Sequence, residues 1–394
     1  MKFLHTSDWH IGRTIRSHSR NDEHRAVFAE IIDIARQEHI DAVLLTGDVF
    51  HERRPPVDAQ MLLAETLATF ARHKIPVVVI PGNHDDPRLL RALKPWGDLV
   101  HVYIISEVSE EIDSLIVPLD GVTEMALIGC LPYVHPHQVV STADGAGTQA
   151  DARLLAYQAK LQDYFRALEA RMKQRDRQAV AIMLAHVDIQ GSALGGGEWR
   201  SNVFSLPGSI LPAHVHYVAL GHIHKPQHAP GAKTHTRYAG SILQMDFGER
   251  DQQKSVCLID AHPGKPAAVT QIALTKGKRL LRRSGTVEAI LAQAPDFTDA
   301  WVEVVLSSEK RTTALVDRVR ALPAVISLRF EDVQDAPATS STTDGQHPTD
   351  RPARELFHEY YKSKKKTDPE PQLLALFERL YQEEALSVSE NFHA

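Results

Sequence analysis

Seven residues of metal-ligand type stand in five short clusters along the chain. They are Asp8 and His10 in Ser7-Asp8-Trp9-His10, Asp48 after Gly47, Asn83 in Gly82-Asn83-His84-Asp85, His186, and His222 with His224 in Gly221-His222-Ile223-His224. Carboxylate, amide and imidazole donors without thiolate suit borderline or hard divalent ions, and the number suffices for two ions sharing one carboxylate. Mn²⁺ is the first choice and zinc held by His and Asp the alternative, whereas nothing resembles a Cys-based structural zinc site. Two such ions close together turn a bound water into hydroxide, aim it at phosphorus and neutralise the developing charge. The donor set therefore predicts phosphate ester hydrolysis, without separating monoesters from diesters.

Asn83 is followed directly by His84 and Asp85. A histidine whose ring is held by an adjacent carboxylate can pass a proton near neutral pH, which makes His84 the general-acid candidate. In the alternative, Asp85 caps the next turn and His84 is a bystander. His51, shortly after Asp48, is placed to steady phosphate charge or is an exposed loop histidine. If Asp8 and His10 lie on extended backbone, side chains two apart project to one side and reach one ion, and His222-x-His224 works likewise. With 22 histidines, chance placement is common for any single one. The joint placement beside Gly, Asp or another His favours metal.

The elements that must carry these residues are legible as apolar runs. Ala42-Val43-Leu44-Leu45 leads to Gly47-Asp48, Val77-Val78-Val79-Ile80 to Gly82-Asn83, residues 179–184 to His186, 217–220 to His222, and Phe3-Leu4 to Asp8. Each reads as a buried strand ending in polar residues, the arrangement by which open α/β sheets build sites at carboxyl ends. Helical spacing over 24–38 and 61–70 alternates with these strands, so the first part is α/β. A third helix over 152–175 carries charge on one face and apolar residues on the other, as a helix packed on a sheet does.

At 394 residues with 43% hydrophobic composition the chain can fill two or three domains. A net charge of -6 argues against a wholly basic nucleic-acid coat, although 44 Lys and Arg leave room for a local basic strip. Cys130 and Cys257 are the only cysteines and are far apart, so neither a disulfide scaffold nor a thiolate site is expected, and a reducing cytoplasm fits. No apolar run reaches membrane-spanning length, and no signal-peptide core opens the chain.

Past about residue 275 the pattern changes, starting with Lys276-Gly277-Lys278-Arg279-Leu280-Leu281-Arg282-Arg283. Helical stretches over 287–292 and 312–321 and strand-like runs over 301–306 and 325–330 predict a small α+β appendage. Residues 334–353, rich in Ser, Thr, Asp, Pro and Gly, read as a linker. Leu356, Phe357, Tyr360 and Tyr361, then Leu373, Leu374, Phe377, Leu380 and Tyr381, give two amphipathic helices that either fold back or dock on another protein.

Taken in order, Asp8-x-His10, Gly47-Asp48, Gly82-Asn83-His84-Asp85, His186 and Gly221-His222-x-His224 resemble the calcineurin-like metallophosphoesterases. Longer strings narrow the resemblance to the nuclease subunits of break-processing complexes that contain a coiled-coil ATPase. They are His5-Thr6-Ser7-Asp8-Trp9-His10-Ile11-Gly12, Gly47-Asp48-Val49-Phe50, Pro55-Pro56, Ala219-Leu220-Gly221-His222-Ile223-His224 and Tyr238-Ala239-Gly240-Ser241. The match is specific over roughly residues 1–250, looser over the appendage, and recovers at the terminal helices.

The resemblance implies a β-sandwich flanked by helices over 1–275, a cap over 276–333, a flexible linker over 334–353 and a helix pair over 354–394. It implies one ion on Asp8, His10, Asp48 and His224, a second on Asp48, Asn83, His186 and His222, and Asp48 as the bridge. His84 would protonate the leaving 3′ oxygen, steadied by Asp85. His51 falls at a position that is His in some relatives and Asp in others, and Ala185 stands where Gly is common. Lys276, Lys278, Arg279, Arg282 and Arg283 would cradle duplex DNA unless they form a solvated linker edge. Leu356, Phe357, Tyr360, Leu373, Leu374, Phe377 and Leu380 would grip the ATPase coiled coil. A homodimer through helices near 59–74 and 87–95 is also implied. The expected activity is a Mn²⁺-dependent 3′-to-5′ exonuclease and a single-strand and hairpin endonuclease in DNA repair and recombination. Its rivals are a small-molecule phosphodiesterase of the same superfamily and a non-catalytic DNA-end tether.

Overall fold

In the computed structural model, residues 1–121, 124–139, 150–196, 204–307 and 313–330 are described, together with part of 357–377. Strand β1 (Lys2–Thr6) sends Phe3 between two sheets and Leu4 toward the helices, and both are fully buried. The same two-residue period splits β4 (Ala42–Thr46) and β5 (Val77–Ile80): Ala42, Leu44, Val78 and Ile80 face one core, Val43, Leu45, Val77 and Val79 the other. Strands buried on both faces read as unbroken apolar runs, which is why they stand out in the sequence.

Between these strands run α1 (Asn21–Gln37) and α2 (Val57–Arg72), preceded by a small hairpin, β2 (Thr14–Ile15) and β3 (His18–Ser19). Helix α3 (Pro87–Asp98) starts on Asp86, whose carboxylate accepts from the Arg88 N–H, with Pro87 at the first helical position. These helices cover the outer face of the first sheet, where α1 buries Val27, Phe28, Ile31 and Ile32.

Strand β6 (Val102–Ile104) closes the parallel row β1, β4, β5, β6. The second sheet holds β7 (Ile116–Asp120), β8 (Met125–Leu131), β9 (Val180–His186), β10 (Tyr217–Gly221), β11 (Gln227–His228) and β12 (Thr236–Tyr238), in the order β11-β12-β10-β9-β8-β7. After a short helix α4 (Pro136–Val139), α5 (Ala150–Arg175) lays Leu161, Phe165, Leu168 and Met172 into the core of this sheet. Burial of each such side chain contributes about 1.5–3 kcal/mol. Strands β13 (Ser255–Asp260) and β14 (Ala268–Ala273) return antiparallel to the first sheet, giving β14-β13-β1-β4-β5-β6. The result is a two-sheet sandwich flanked by helices.

The appendage alternates β15 (Arg279–Gly285), α6 (Val287–Ala292), β16 (Ala300–Leu306), α7 (Thr313–Arg320) and β17 (Val325–Phe330), with parallel pairing throughout. Its first strand is hidden in the sequence because arginines occupy its exposed positions. A buried ion pair ties the appendage to α1: Arg20 holds Glu23 (2.7 Å), and Glu23 accepts from the Trp301 indole N–H and the Lys278 backbone N–H, each at 2.8 Å.

Residues Met1–Asp332 form one compact unit and Val333–Ala394 another. Within the second, Phe357 and Phe377 stack with ring centroids 4.1 Å apart, holding two helical segments together. Leu356, Leu380 and the expected linker over 334–353 lie outside the described residues.

Candidate metal centre

All five clusters meet at the carboxyl ends of β1, β4, β5, β9 and β10. The donor atoms of Asp8, His10 and His224, and those of Asp8, Asp48 and His186, lie within 4.8 Å of one another. His10 Nε2 stands 3.0 Å from His224 Nε2 and 3.6 Å from Asp48 Oδ2. On the other side, His186 Nε2 stands 3.5 Å from Asp48 Oδ2 and 3.0 Å from Asn83 Oδ1, and His222 Nδ1 is 2.9 Å from the same Asn83 oxygen. Donors that share one ion through bonds of about 2.1 Å stand roughly 3 Å apart, so these spacings fit.

The turns that carry the donors are not extended. Asp8 (φ 50°), His10 (46°), Asp48 (48°) and His222 (103°) have positive φ. The expectation that Asp8 and His10 share a side because they sit on extended backbone is therefore corrected. The chain curls at these four donors, whereas His186 ends strand β9, and Asp8 N–H is bonded to the Gly47 carbonyl and His10 N–H to the Asp48 carbonyl. Such conformations cost about 1–3 kcal/mol each and persist where surrounding bonds over-determine them. Gly47 (φ 90°) admits the His186 imidazole, which any Cβ there would strike, and Gly221 lets β10 approach the Thr46 carbonyl.

Hydrogen bonds fix the imidazoles. His186 Nδ1–H donates to the Thr46 carbonyl (2.9 Å), which leaves the Nε2 lone pair toward Asp48. His224 Nδ1–H donates to Glu249 (3.0 Å), likewise aiming Nε2 at His10. Burial holds His10 well below its usual range and brings His222 down to about 3, so both are neutral and able to donate a lone pair. Burial pushes the Asp8 carboxyl up, whereas at Asp48 the surrounding imidazoles and the His84 backbone N–H outweigh burial and bring the carboxyl below its usual range. The His/Asp cluster is compatible with divalent metal ions.

His84 sits at the open side of this group, half-buried, with its ring 4.9 Å from His10. Its Nδ1–H donates to the His51 carbonyl (2.8 Å), and its own N–H donates to Asp48. The expectation that Asp85 steadies the ring is corrected. Asp85 is buried and accepts from the backbone N–H groups of Val49, Phe50 and Gly82, binding two ligand loops together. Burial, then the charge of Asp48, pushes Asp85 up to about 7. Nor is Asp85 the helix cap, a place taken by Asp86. His51 Nδ1 lies 3.4 Å from His10 Nδ1, and its Nε2 3.1 Å from Arg13. Burial, then Arg13, lowers it to about 4.

The basic residues expected to hold DNA do not form one patch. Strand alternation turns Leu280 and Arg282 toward Ile15 and Phe247, while Leu281 enters the appendage core with Arg279 and Arg283 on its side. Lys278 lies over the Trp301 ring at 3.7 Å, and Lys276 is exposed, its N–H bonded to Glu30. Of the terminal residues, Phe357 and Phe377 pack together, Leu373 and Leu374 are half-buried and Tyr360 is 62% exposed. Two residues of the centre escaped the sequence reading. Arg13 follows the first motif closely, a usable signal, but Glu249 has none, because only folding brings it to His224.

The sequence pattern of the calcineurin-like phosphoesterases matches residues 1–226. The chain is 32% identical over 347 residues to SbcD, a component of the nuclease SbcCD, of Bacillus subtilis (strain 168), covering 84% of this chain and 86% of that protein. It is 30% identical over 302 residues to the protein of the same name from Rhodobacter capsulatus, covering 72% and 71%. Against that of Escherichia coli (strain K12) it is 25% identical over 334 residues, covering 82% of each. With its strand-end donors converged in one cluster and most of its length aligned, the chain belongs to the calcineurin-like phosphoesterases and, within them, to the SbcD nucleases.

Proposed function

We propose that this chain is a DNA nuclease that hydrolyses phosphodiesters with two divalent ions, Mn²⁺ by preference. The observation that carries the reading is the place of Asp48, whose Oδ2 stands 3.6 Å from His10 Nε2 and 3.5 Å from His186 Nε2. One carboxylate thereby serves two donor groups: Asp8, His10 and His224 on one side, Asn83, His186 and His222 on the other. Oxygen donors mixed with neutral imidazoles, and no thiolate, favour Mn²⁺ over sulfur-seeking metals. Bound there, the ions supply Lewis acidity and a hydroxide at neutral pH.

The protein's own residues position and protonate. The His51 carbonyl accepts the Nδ1–H of His84 and so fixes the ring, leaving Nε2 to face the leaving 3′ oxygen as proton donor. Asp85 holds the loop that carries His84 against the loop that carries His51. Arg13, beside His51, is placed to meet substrate phosphate charge. The relatives bear the name nuclease, which favours a nucleic-acid phosphodiester over a small ester, acting as 3′-to-5′ exonuclease on duplex ends and as endonuclease on hairpins.

Those relatives are named as one part of a complex, so the reading includes an SbcC-type coiled-coil ATPase. The helical segments around Phe357, Tyr360, Leu373, Leu374 and Phe377 are its docking surface. It also includes a homodimer through α2 and α3. Among the described residues no helix is long and apolar enough to cross a membrane. Incubation with Mn²⁺ and labelled hairpin or duplex DNA, beside bis(p-nitrophenyl) phosphate, tests the reaction. We expect cleavage of both; cleavage of the small ester alone would reassign the enzyme to small-molecule phosphodiesters.

A further inference from the structure

Three arginines from three segments converge on one buried carboxylate. Glu303 on β16 is 1% exposed, and Arg282 of β15 (2.6 Å), Arg329 of β17 (3.2 Å) and Arg16 of the β2–β3 turn (3.3 Å) all meet it. The arginines themselves are 44%, 56% and 47% exposed. Each guanidinium carries five N–H donors in a planar fork, far more together than one carboxylate accepts, and one negative charge offsets only one of three positive ones. Arg16, Arg282 and Glu303 line a cleft of about 490 Å³ between appendage and sandwich, which Arg13 also lines, and Arg329 joins them through Glu303. Arg13 Nη1 lies 3.1 Å from His51 Nε2, so the cleft opens beside the metal centre. Asp246, the other carboxylate on the cleft, is engaged with the Gly248 N–H (2.6 Å).

Resting on the nuclease reading above, we propose that Arg16, Arg282 and Arg329 together bind one backbone phosphate of duplex DNA whose scissile bond lies at the metal centre. Glu303 holds the three guanidiniums in position before DNA arrives, so less side-chain freedom is lost on binding. Because they converge on a single carboxylate, they serve one phosphate jointly. The same chemistry would suit the phosphate of a released mononucleotide, which the test separates.

The test compares the full chain with R16Q/R282Q/R329Q and with the charge-keeping R16K/R282K/R329K, reading metal-free binding of labelled duplex DNA across a salt series. For the Gln protein we expect roughly tenfold weaker binding at fixed salt. We also expect a slope of log affinity against log salt that is shallower by about 1. The Lys protein should keep the slope. Mn²⁺-dependent hydrolysis of bis(p-nitrophenyl) phosphate should be unchanged in both. If the Gln protein fails to fold because Glu303 is stranded, R16Q/R282Q/R329Q/E303Q is expected to show the same losses. An unchanged slope in a folded variant, or one shallower by about 3, overturns the joint site. Loss of dAMP binding with an intact duplex slope overturns the duplex assignment in favour of product. A wild-type chain that hydrolyses the small ester but neither binds nor cuts DNA overturns the nuclease reading itself.

Discussion

Glu249 shows how much of a metal site lies outside its ligands. Fully buried, it accepts from His224 Nδ1 and from Lys254 (2.6 Å); burial would raise its carboxyl, but these partners outweigh that and hold it at about 2. It is therefore ionised throughout the neutral range and locks one tautomer of His224. We expect E249Q to raise the Mn²⁺ dissociation constant about 10–100-fold by titration calorimetry, with small-ester turnover restored at saturating Mn²⁺; unaltered affinity would contradict this role. His84 makes the opposite kind of contribution, to the proton rather than to the ion. H84A should lower DNA cleavage about 10²–10⁴-fold while metal content and DNA binding stay as in the parent. Undiminished cleavage would remove His84 from the mechanism.

At the scale of elements, α2 and α3 stand out for what they leave uncovered. Val57 (68% exposed) and Met61 (54%) on α2, Trp96 (74%) on α3 and Leu99 (74%) just after it are exposed, and the two helices enclose an apolar groove of about 500 Å³ lined by Leu67, Leu89, Leu93 and Trp96. Exposed apolar side chains gathered on adjacent helices are what the proposed homodimer would cover. W96D/L99D should convert a dimer to a monomer by light scattering while small-ester hydrolysis persists. A wild-type chain that is monomeric at every concentration would reject the homodimer. The ligand-bearing strands behave differently: their apolar runs announce them, but their closing turns use positive φ at Asp8, His10, Asp48 and His222, a conformation that Asp and His tolerate better than most residues without requiring it.

The whole molecule divides into a catalytic unit over Met1–Asp332 and a separate unit over Val333–Ala394. Among the described residues of the second unit, the Phe357–Phe377 stack joins two short helical segments, and segments this short owe their stability to packing rather than to propensity. Deleting residues 354–394 should abolish co-purification with the coiled-coil ATPase yet leave hydrolysis of the small ester intact; normal co-purification after the deletion would refute the docking surface. Within the catalytic unit, the Arg20–Glu23–Trp301 network sets the appendage on the sandwich, so the cleft between them is a product of long-range packing.

The seven donors, the strands that deliver them and the alternation of strand and helix were legible in the sequence alone, because period and residue type are local properties. Strand β15 was not, since Arg279, Arg282 and Arg283 interrupt its apolar pattern. Only the folded chain decided that the His51 carbonyl rather than Asp85 orients His84, that Glu249 anchors His224, and that Arg16, Arg282 and Arg329 share Glu303. Those contacts join residues remote in the chain, and their partners follow from how two sheets and an appendage pack, which no spacing of residues records.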